Sequence, residues 1–420
     1  MKKKIVLAHP LQQHSYRTAE GLENANLLDK YITTVYYDEH KCVYNMLERI
    51  LGSNNVKRMH GRKNKIVEKY LITYNEILGL LYLLLIRIDK RKILEPKLYS
   101  ILINKFGKKV YQYLVKHNQE CVIMYDTTGY KCFRLLDKNN KKVTKILDMS
   151  SAAAPYVRKI LMTELNYKNT KYKESLRTTL KSYSDRKCKK SQKEIDMTDY
   201  FLAPSSFVKK SLLECGVKEE QILLVPYGVD LDMFKSKKYN KIDNKINFLY
   251  VGRLEYAKGI YYLIKAFEEL KDLKIKLNIV GSISSKDKEL LQDIQNIDNI
   301  IYHGSKRKSE MNDIYTSSDV YIMPSLFEGL SLTLFEAMAS GLPVIASENS
   351  GAKGIVKNGK QGFVIDSASK EQIKEKIIWF CNNKEKIPQM GKEARILAEK
   401  YKWENYNLNL KEEIKKIKEY

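Results

Sequence analysis

Two glutamates, Glu328 and Glu336, lie eight positions apart around the start of a predicted helix. The first precedes the helix and the second lies inside it, so a ligand at the helix start would have a carboxylate on either side. Carboxylates accept hydrogen bonds from sugar hydroxyls, and the unpaired amides and positive dipole end of a helix N-terminus favour a phosphate. The amides at this helix start belong to Leu330, Ser331, Leu332 and Thr333. The spacing therefore predicts a site for a ligand with both hydroxyls and phosphates.

The elements around these glutamates follow from residue types. Residues 321–324 end an apolar strand, Gly329 permits a tight bend, and residues 331–340 have helical composition. Gly341 then ends the helix, and Pro343 prevents it from resuming. A simpler interpretation is a strand, a turn and a capped helix with solvated glutamates, because Glu is common in first helical turns. For the glutamate pair alone, that simpler interpretation is favoured.

Four more segments accompany this stretch in a fixed order. The five are VPYGVDLDMF (225–234), VGRLEYAKG (251–259), LNIVGS (277–282), DVYIMPS (319–325) and PSLFEGLSLTLFEAMASGLPVIAS (324–347). Together they resemble the motifs of glycosyltransferase family 4 and cover roughly the C-terminal half. The resemblance implies an α/β fold of two Rossmann-like domains facing across a cleft, the GT-B architecture. It also implies sugar transfer from a nucleotide diphosphate with retention of anomeric configuration, normally without a bound metal, and we expect no cofactor.

The resemblance assigns roles to residues that match these motifs. Arg253 and Lys258 lie between a strand and a helix, where both can converge on the diphosphate and take the place of a metal. The alternative is two ordinary loop cations in a Lys-rich chain. By resemblance, Glu336 accepts hydrogen bonds from the ribose, and Glu328 lies near the donor sugar as the first catalytic candidate. The remaining donor-binding candidates are Gly252, Ser282, Ser305 and Gly329, with Leu330, Ser331, Leu332 and Thr333.

The N-terminal half departs from the family pattern in two places. The loop after the first strand is not glycine-rich, and residues 148–154 contain no histidine where the family often presents one. We therefore select His14, Tyr16, Asp126 and Asp148 as candidates for contact with acceptor or sugar. The two aspartates follow predicted strands, and the carboxyl ends of parallel strands carry ligand sites. Each residue could equally be a solvated loop residue, a helix cap or a turn residue.

Length and composition indicate two globular domains. A chain of 420 residues exceeds the size at which one core keeps growing, and 44% hydrophobic with 30% charged residues is typical of a globular protein. We predict an acceptor-binding domain at 1–234, a linker at 235–246 and a nucleotide-sugar-binding domain at 247–395. A C-terminal helix at 396–420 is predicted to cross back to the first domain, as the resemblance implies.

The chain is strongly basic, with 75 Lys and Arg against 50 Asp and Glu, which gives a net charge of +25. Such a balance indicates an anionic partner or surface, although AT-biased coding would also enrich lysine without functional meaning. Zinc-finger spacing, RRM-type aromatic signatures and basic-region heptads are absent from the sequence, so we expect no nucleic acid. An anionic membrane surface and a phosphorylated acceptor both fit this charge, and the membrane surface is favoured over nucleic acid.

Residues 76–92 combine an apolar run of about ten residues, too short to cross a bilayer, with the cations Lys90, Arg91 and Lys92. One interpretation is an amphipathic helix lying in the headgroup plane. The other is a core helix of the N-terminal domain. Because apolar residues occupy nearly all faces of this helix, we favour burial.

The six cysteines are scattered without C-x-x-C pairs, and the N-terminus resembles a first strand more than a secretory signal. We therefore expect a cytoplasmic protein, with peripheral attachment to the inner membrane face as a further hypothesis.

The predicted function is a retaining, metal-independent glycosyltransferase of the hexosyltransferase type. It would use a nucleotide-diphosphate sugar and a glycan or lipid-linked acceptor in cell-surface polysaccharide synthesis. Retention could use paired carboxylates or, as the resemblance suggests, a front-face route in which the departing phosphate assists the incoming hydroxyl. The alternatives are a GT-B-fold epimerase or phosphorylase, and a basic lipid- or nucleic-acid-binding protein with a degenerate fold.

Overall fold

Two parallel β-sheets, of seven and six strands, organise the chain. The computed structural model of the protein describes residues 4–50, 56, 59–89, 93–167, 173–239, 244–283 and 288–417. Helices alternate with the strands along both halves of the chain. This arrangement confirms the predicted α/β class with two Rossmann-like domains.

The first sheet has the strand order β3-β2-β1-β4-β5-β6-β7. Its strands are β1 (Ile5–Ala8), β2 (Leu28–Thr33), β3 (Leu71–Thr73), β4 (Cys121–Tyr125), β5 (Thr144–Asp148), β6 (Tyr200–Ala203) and β7 (Ile222–Leu224). The helices of this half are α1 (Ser15–Asn24), α2 (Cys42–Ile50), α3 (Lys65–Glu68), α4 (Glu76–Ile88), α5 (Glu95–Lys116), α6 (Tyr130–Lys138), α7 (Ala154–Tyr167), α8 (Lys173–Ser182), α9 (Asp185–Asp196) and α10 (Ser206–Leu213).

The second sheet has the strand order β10-β9-β8-β11-β12-β13. Its strands are β8 (Ile246–Val251), β9 (Ile275–Val280), β10 (Ile300–Tyr302), β11 (Val320–Met323), β12 (Val344–Ser347) and β13 (Gly362–Ile365). The helices are α11 (Ile260–Glu269), α12 (Lys288–Gln295), α13 (Met311–Thr316), α14 (Leu332–Ala339), α15 (Lys370–Asn382), α16 (Ile387–Glu399) and α17 (Trp403–Lys415).

Central strands of both sheets are buried along their whole length, as β1, β4, β11 and β12 show. Parallel sheets are covered on both faces, so their strands are continuous apolar runs without alternation. In each sheet the strand order reverses beside the first strand, between β1 and β4 and between β8 and β11. Ligands of such sheets bind in the crevice outside the carboxyl ends of the strands at this reversal. The topology therefore gives each domain one preferred edge for a site.

The last helix, α17, returns to the N-terminal domain and packs against α1. The Tyr406 hydroxyl lies 2.9 Å from Thr18 Oγ1, and the Arg17 guanidinium lies over the Trp403 ring. Because α16 still packs against α14, the crossing occurs near Lys402, a few residues after the predicted boundary at 396.

The described part of the predicted linker, residues 235–239, is held on the C-terminal domain. The Lys237 ammonium forms a 2.7 Å ion pair with Asp319, and the Tyr239 hydroxyl donates to Gly341 O. The chain pairs with its own return segment earlier, where Val229 N donates to Tyr401 O at 2.8 Å. The two connections between domains therefore run side by side near Val229, and residues 235–239 of the predicted linker pack against the C-terminal domain.

Helix α4 lies at the surface, with five of its nine aliphatic side chains exposed and the other four half-buried. Our preference for a buried core helix at 76–92 is therefore wrong for its described residues. The cations Lys90, Arg91 and Lys92 lie outside the described residues. In the described part of the chain, every helix is too short or too polar to cross a membrane.

Candidate functional site

Lys258 and Glu328 form an ion pair at the strand reversal of the second sheet, and both side chains are mostly buried. The Ser325 hydroxyl donates to the same carboxylate oxygen at 3.2 Å, and Glu328 N donates to Asn349 O at 2.9 Å. Glu328 is therefore fixed at its backbone and at its side chain before any ligand binds.

A glycine allows this pair to form. Gly259, which follows Lys258, has φ of +67°, and a Cβ on it would lie 1.9 Å from Pro324 O. A residue with a side chain would be strained by this φ and would push the two loops apart. The Leu326 amide also donates to Ala257 O at 2.9 Å. Lys258 is thus brought beside the loop after β11, 70 residues away in sequence.

The predicted helix over 331–340 is confirmed as α14 (Leu332–Ala339), with Gly341 at φ +80° after its end. The Ser331 amide donates to Ser350 O at 3.2 Å. The amides of Leu332 and Thr333 lie in the first turn and have no acceptor among the described residues. They remain free to bind an anion, as the sequence predicts. Leu330 is buried beneath this turn.

Glu336 projects from α14 and accepts a 2.9 Å hydrogen bond from the Tyr315 hydroxyl. Burial raises the pKa of this carboxyl above its usual value. Tyr315 holds one carboxylate oxygen, Oε2, so the other can accept a further donor. The ribose contact of Glu336 stays a prediction, and one carboxylate oxygen is available for it.

Arg253 does not join Lys258 on a common group. Its guanidinium donates to Glu255 at 2.8 Å, and 65% of the side chain is exposed. The predicted pair of converging cations is therefore not assembled here, since each cation is bound to a different carboxylate. An exposed Arg–Glu pair contributes little to stability, so the guanidinium can exchange partners at small cost.

Three neighbouring strand ends carry the other donor-side candidates. Gly252 N donates to Val280 O at 3.0 Å, and Gly281 N donates to Gly304 O at 2.9 Å. A Cβ on Gly281 would lie 1.7 Å from Gly252 O, so this close approach requires glycine. Ser282 and Ser305 follow in the exposed parts of these loops. Backbone groups therefore dominate this part of the edge.

On the other domain, His14 and Asp148 form a pair. His14 Nε2 lies 3.0 Å from Asp148 Oδ2, and both side chains are nearly buried. The imidazole packs against the rings of Tyr125 and Tyr227, with centroids 5.1 and 4.5 Å away. Because helix α1 begins at Ser15, His14 occupies its N-cap position at the strand reversal of the first sheet.

Asp126 connects the two domains through Ser150. Its Oδ1 accepts from the Ser150 amide at 3.1 Å and from the Ser150 hydroxyl, and burial raises the pKa of this carboxyl. Gly329 lies directly against Ser150, because a Cβ on Gly329 would be 2.1 Å from Ser150 O. The structure has the predicted bend at Gly329, but its φ is not positive, so the close approach to Ser150 is what requires glycine here.

Further contacts close the two domains on each other. The Ser205 hydroxyl donates to Gly329 O, and the Tyr262 hydroxyl donates to Glu164 of α7. The ring of Tyr183 meets Phe327 edge to face at 5.6 Å. Burial raises the pKa of Tyr183 to about 12, and the charges of Asp126 and Glu328 add to this effect. Carboxylates of both domains therefore face the same cleft.

Tyr16 does not lie in this cleft. Its side chain is buried in the N-terminal core, its hydroxyl donates to Arg62 O at 2.9 Å, and its ring packs against Tyr31. The predicted contact with acceptor or sugar does not fit this position. Helix α1 begins at Ser15, so Tyr16 lies in its first turn with its side chain buried.

Several polar groups of the cleft carry no local signal in the sequence. Asn349 fixes Glu328 and Ser150 fixes Gly329 through contacts from distant segments. The buried Tyr227 hydroxyl, close to His14, has no partner among the described residues. Tyr227 belongs to the motif at 225–234, which is the one feature that could have pointed to it.

The cleft thus offers two different chemical surfaces. One domain presents a lysine, a carboxylate and a helix N-terminus, which suit a phosphate and the group attached to it. The other presents an imidazole–carboxylate pair, which can accept a proton from a hydroxyl. Among the described residues, no group of three or more potential metal ligands is found.

Several known proteins are similar to this chain. Residues 232–397 match the family described as glycosyl transferases group 1. An uncharacterized glycosyltransferase of Methanocaldococcus jannaschii is 32% identical over 233 residues, which are 53% of this chain and 57% of that protein. A second relative, the sulfoquinovosyl transferase of Arabidopsis thaliana, is 28% identical over 49% of this chain and 42% of that protein. The chain thus spans about half the length of these curated relatives.

A solved structure resembles the chain over its whole length. The apo lipopolysaccharide outer core galactosyltransferase WaaB has a TM-score of 0.64 at 16% identity, over 98% of this chain and 99% of that one. The Anabaena protein HepE in complex with UDP-glucose has a TM-score of 0.60 at 15% identity, over 98% and 99%. The chain therefore has the GT-B fold, and its C-terminal half matches the glycosyl transferases group 1 family.

Proposed function

We propose that the protein is a retaining, metal-independent glycosyltransferase of the hexosyltransferase type, which moves a sugar from a nucleotide diphosphate to a glycan or lipid-linked acceptor. The observation that carries the proposal is the Lys258–Glu328 pair beside the N-terminus of α14. Both features lie at the strand reversal, where parallel sheets bind ligands.

The donor lies on the C-terminal domain in this proposal. The amides of Leu332 and Thr333 bind a phosphate, and Lys258 neutralises the charge that grows on the leaving diphosphate. Arg253 exchanges Glu255 for the diphosphate, which its exposure permits. Glu336 accepts the ribose hydroxyls through its free oxygen. HepE, with UDP-glucose bound, supports a nucleotide-sugar donor for this fold.

Glu328 lies next to the sugar that is transferred. It shares Lys258 with the diphosphate side of the site, so its carboxylate can stabilise positive charge at the anomeric carbon. We infer retention by the front-face route, in which the departing phosphate accepts the proton of the incoming hydroxyl. The anomeric configuration of the product, followed by NMR from the first turnover, tests retention, and a covalent sugar–enzyme intermediate would contradict the front-face route.

The acceptor lies on the N-terminal domain. His14, held by Asp148 and packed between two tyrosine rings, offers a nitrogen that can hydrogen-bond and orient the acceptor hydroxyl. Asp126 contributes through its contact with Ser150 beside Gly329. The name of WaaB, a lipopolysaccharide galactosyltransferase, supports a glycan or glycolipid acceptor and a role in cell-surface polysaccharide synthesis.

Turnover of nucleotide sugars in the presence of EDTA tests the proposal. After a thermal-shift screen identifies the nucleotide sugar that binds, Lys258→Met is expected to lower turnover by roughly 10²–10³, the effect of losing one preorganised electrostatic donor. Melting is expected to remain cooperative. A new glycosidic bond in the product, shown by mass spectrometry, separates transfer from epimerisation.

Lys265→Met is the matched control. Lys265 is an exposed lysine of the neighbouring helix α11, ion-paired with Glu268 outside the cleft. Its replacement is expected to leave turnover unchanged. Equal turnover of Lys258→Met and the parent, or full dependence of the parent on added metal, would contradict the proposed mechanism.

A further inference from the structure

Helix α4 presents a stripe of apolar side chains to solvent. Ile77, Leu81, Leu84 and Ile88 are 75%, 50%, 49% and 64% exposed. Their spacing of four, three and four residues places them on one face of the helix. A stripe of this kind normally faces the protein core, so its exposure on α4 needs an explanation.

The opposite face fixes the rotation of this helix. Gly79 lies so close to the segment after β2 that a Cβ would be 2.6 Å from Thr34 Oγ1. Tyr82 is buried, and its hydroxyl donates to Glu95 at 2.9 Å. Because Gly79 and Tyr82 pack against the protein interior, the apolar stripe on the other side of the helix faces solvent.

A basic stripe follows on the next helix, which packs against α4. Lys97, Ile101, Lys105 and Lys108 are exposed positions of α5 on a single face, since they recur every three or four residues. None of these lysines forms an ion pair with another described residue, and the same holds for Arg87 at the end of α4. Their charges are therefore directed to solvent.

Acidic side chains at this surface already have internal partners. Glu76 accepts from Lys41 and from the Tyr44 hydroxyl, and Asp89 accepts from the amides of Leu94 and Glu95. They do not neutralise the basic stripe. The surface formed by the exposed faces of α4 and α5 is thus apolar in one half and cationic in the other.

We propose that this α4–α5 surface docks on an anionic lipid bilayer. The apolar stripe enters the boundary between headgroups and acyl chains, and the lysines of α5 contact lipid phosphates. A second copy of the chain fits less well as the partner. In a two-fold contact through this surface, the basic stripe of one copy would lie close to the basic stripe of the other. A bilayer complements both halves of the surface.

The position of the α4–α5 surface indicates how a lipid-linked acceptor would reach the cleft, an inference that rests on the proposed function. Gly79 packs on Thr34, directly after β2, and the Thr34 amide donates to Pro10 O of the loop that carries His14. Parallel strands end at the same edge, so α4 lies at the edge that also carries His14 and Asp148. A lipid-linked acceptor held in the bilayer would reach the acceptor side of the cleft.

Co-sedimentation with vesicles tests the docking surface. The full chain is expected to bind vesicles of phosphatidylcholine with phosphatidylglycerol, more weakly at high salt, and not vesicles of phosphatidylcholine alone. The triple change Lys97→Gln, Lys105→Gln and Lys108→Gln is expected to weaken partitioning roughly tenfold to a hundredfold. The double change Leu81→Gln and Leu84→Gln is expected to reduce it on the same vesicles by about tenfold or more.

Matched controls carry the same substitutions elsewhere. Lys271→Gln, Lys274→Gln and Lys392→Gln remove three exposed lysines of the C-terminal domain, and Ile396→Gln with Leu408→Gln removes two exposed apolar residues. Partitioning equal to the parent is expected for both. Loss of binding in the controls to the same extent would overturn the proposal, because it would show a general effect of charge or hydrophobicity.

Two other results would also overturn it. One is vesicle binding that neither α4 nor α5 substitutions change, and the other is a lipid-free dimer that the Leu81 and Leu84 substitutions dissociate. Lys258→Met is expected to bind vesicles like the parent, whatever its turnover. Failure of the docking surface and failure of the proposed activity are therefore distinguishable.

Discussion

Replacement of Gly329 by alanine is expected to separate the two domains at the cleft. A Cβ at this position would lie 2.1 Å from Ser150 O and 2.8 Å from Ser150 C, both of them backbone atoms. Real Cβ contacts are essentially never shorter than 3.0 Å, so the two segments must move apart by about an ångström. The Ser205 hydroxyl would also lose its short contact with Gly329 O.

The expected effect is on turnover more than on stability. A displacement of about 1 Å between the groups that hold a reactant can cost about 10²-fold in rate, whereas one lost hydrogen bond costs about 1 kcal/mol. Binding of the free nucleoside diphosphate is expected to change less than threefold, since its contacts lie on the C-terminal domain in our proposal. Turnover and calorimetric titration with UDP measure the two effects.

Gly359→Ala is the matched control. A Cβ there would meet no atom within 4 Å, so only the backbone strain of its φ of +76° is introduced. A loss of stability without a loss of turnover is expected. If Gly329→Ala turned over substrate as fast as the parent, the contact with Ser150 would not position the reacting groups, and our account of the closed cleft would be refuted.

Two buried groups are expected to give opposite dependences of stability on pH. Burial raises the pKa of Glu194 to about 7 from 4.5, so the unfolded chain releases this proton first, and the parent loses stability as pH rises from 4.5 to 7. As pH rises across this range, the free energy of unfolding of Glu194→Gln, measured by urea titration, is expected to increase by roughly 3 kcal/mol relative to that of the parent. A difference in unfolding free energy that does not change with pH would contradict the raised pKa of Glu194. Burial lowers the pKa of His9 to about 3 from 6.5, so the unfolded chain binds a proton first as pH falls. As pH falls from 6.5 to 3, the free energy of unfolding of His9→Asn is expected to increase by roughly 4 kcal/mol relative to that of the parent. Equal midpoints of acid unfolding for the two proteins would count against the lowered pKa of His9.

The donor side of the cleft was largely predictable, because its parts are local in sequence. The helix over 331–340, the strand before it and the order of the strand-end motifs all follow from short segments. Parallel strands then bring their carboxyl ends to one edge without further information. Glu336 is an example, since its position inside α14 fixes the direction of its side chain.

Side-chain pairing in the cleft was not predictable in the same way. Lys258 and Arg253 lie in one loop, yet Lys258 binds Glu328 across 70 residues and Arg253 binds its near neighbour Glu255. The role of Gly329 was also hidden, because it depends on Ser150 of the other domain. These contacts depend on which segments the fold brings together, and residue type alone does not predict them.

Helix α4 shows a different limit of sequence patterns. Apolar residues surround nearly the whole helix, so periodicity gives no preferred inner face. The inner face is set by Gly79, which fits against Thr34, and by the partner that Tyr82 finds in Glu95. The segment therefore suggested burial, although about half of its apolar side chains are exposed.

The paired chain crossings near Val229 and Lys402 limit how the molecule can open. Val229 N is bonded to Tyr401 O, and a Cβ on Gly228 would lie 2.5 Å from Trp403 N, so the two strands of chain are pinned together. Two paired connections of this kind act as a hinge. They allow the domains to rotate about the connection, and they restrict translation of one domain along the other. We expect the displacement between the domains to increase with distance from this hinge. A truncation before Trp403 is expected to remove one of the two connections and also to expose helix α1 to solvent.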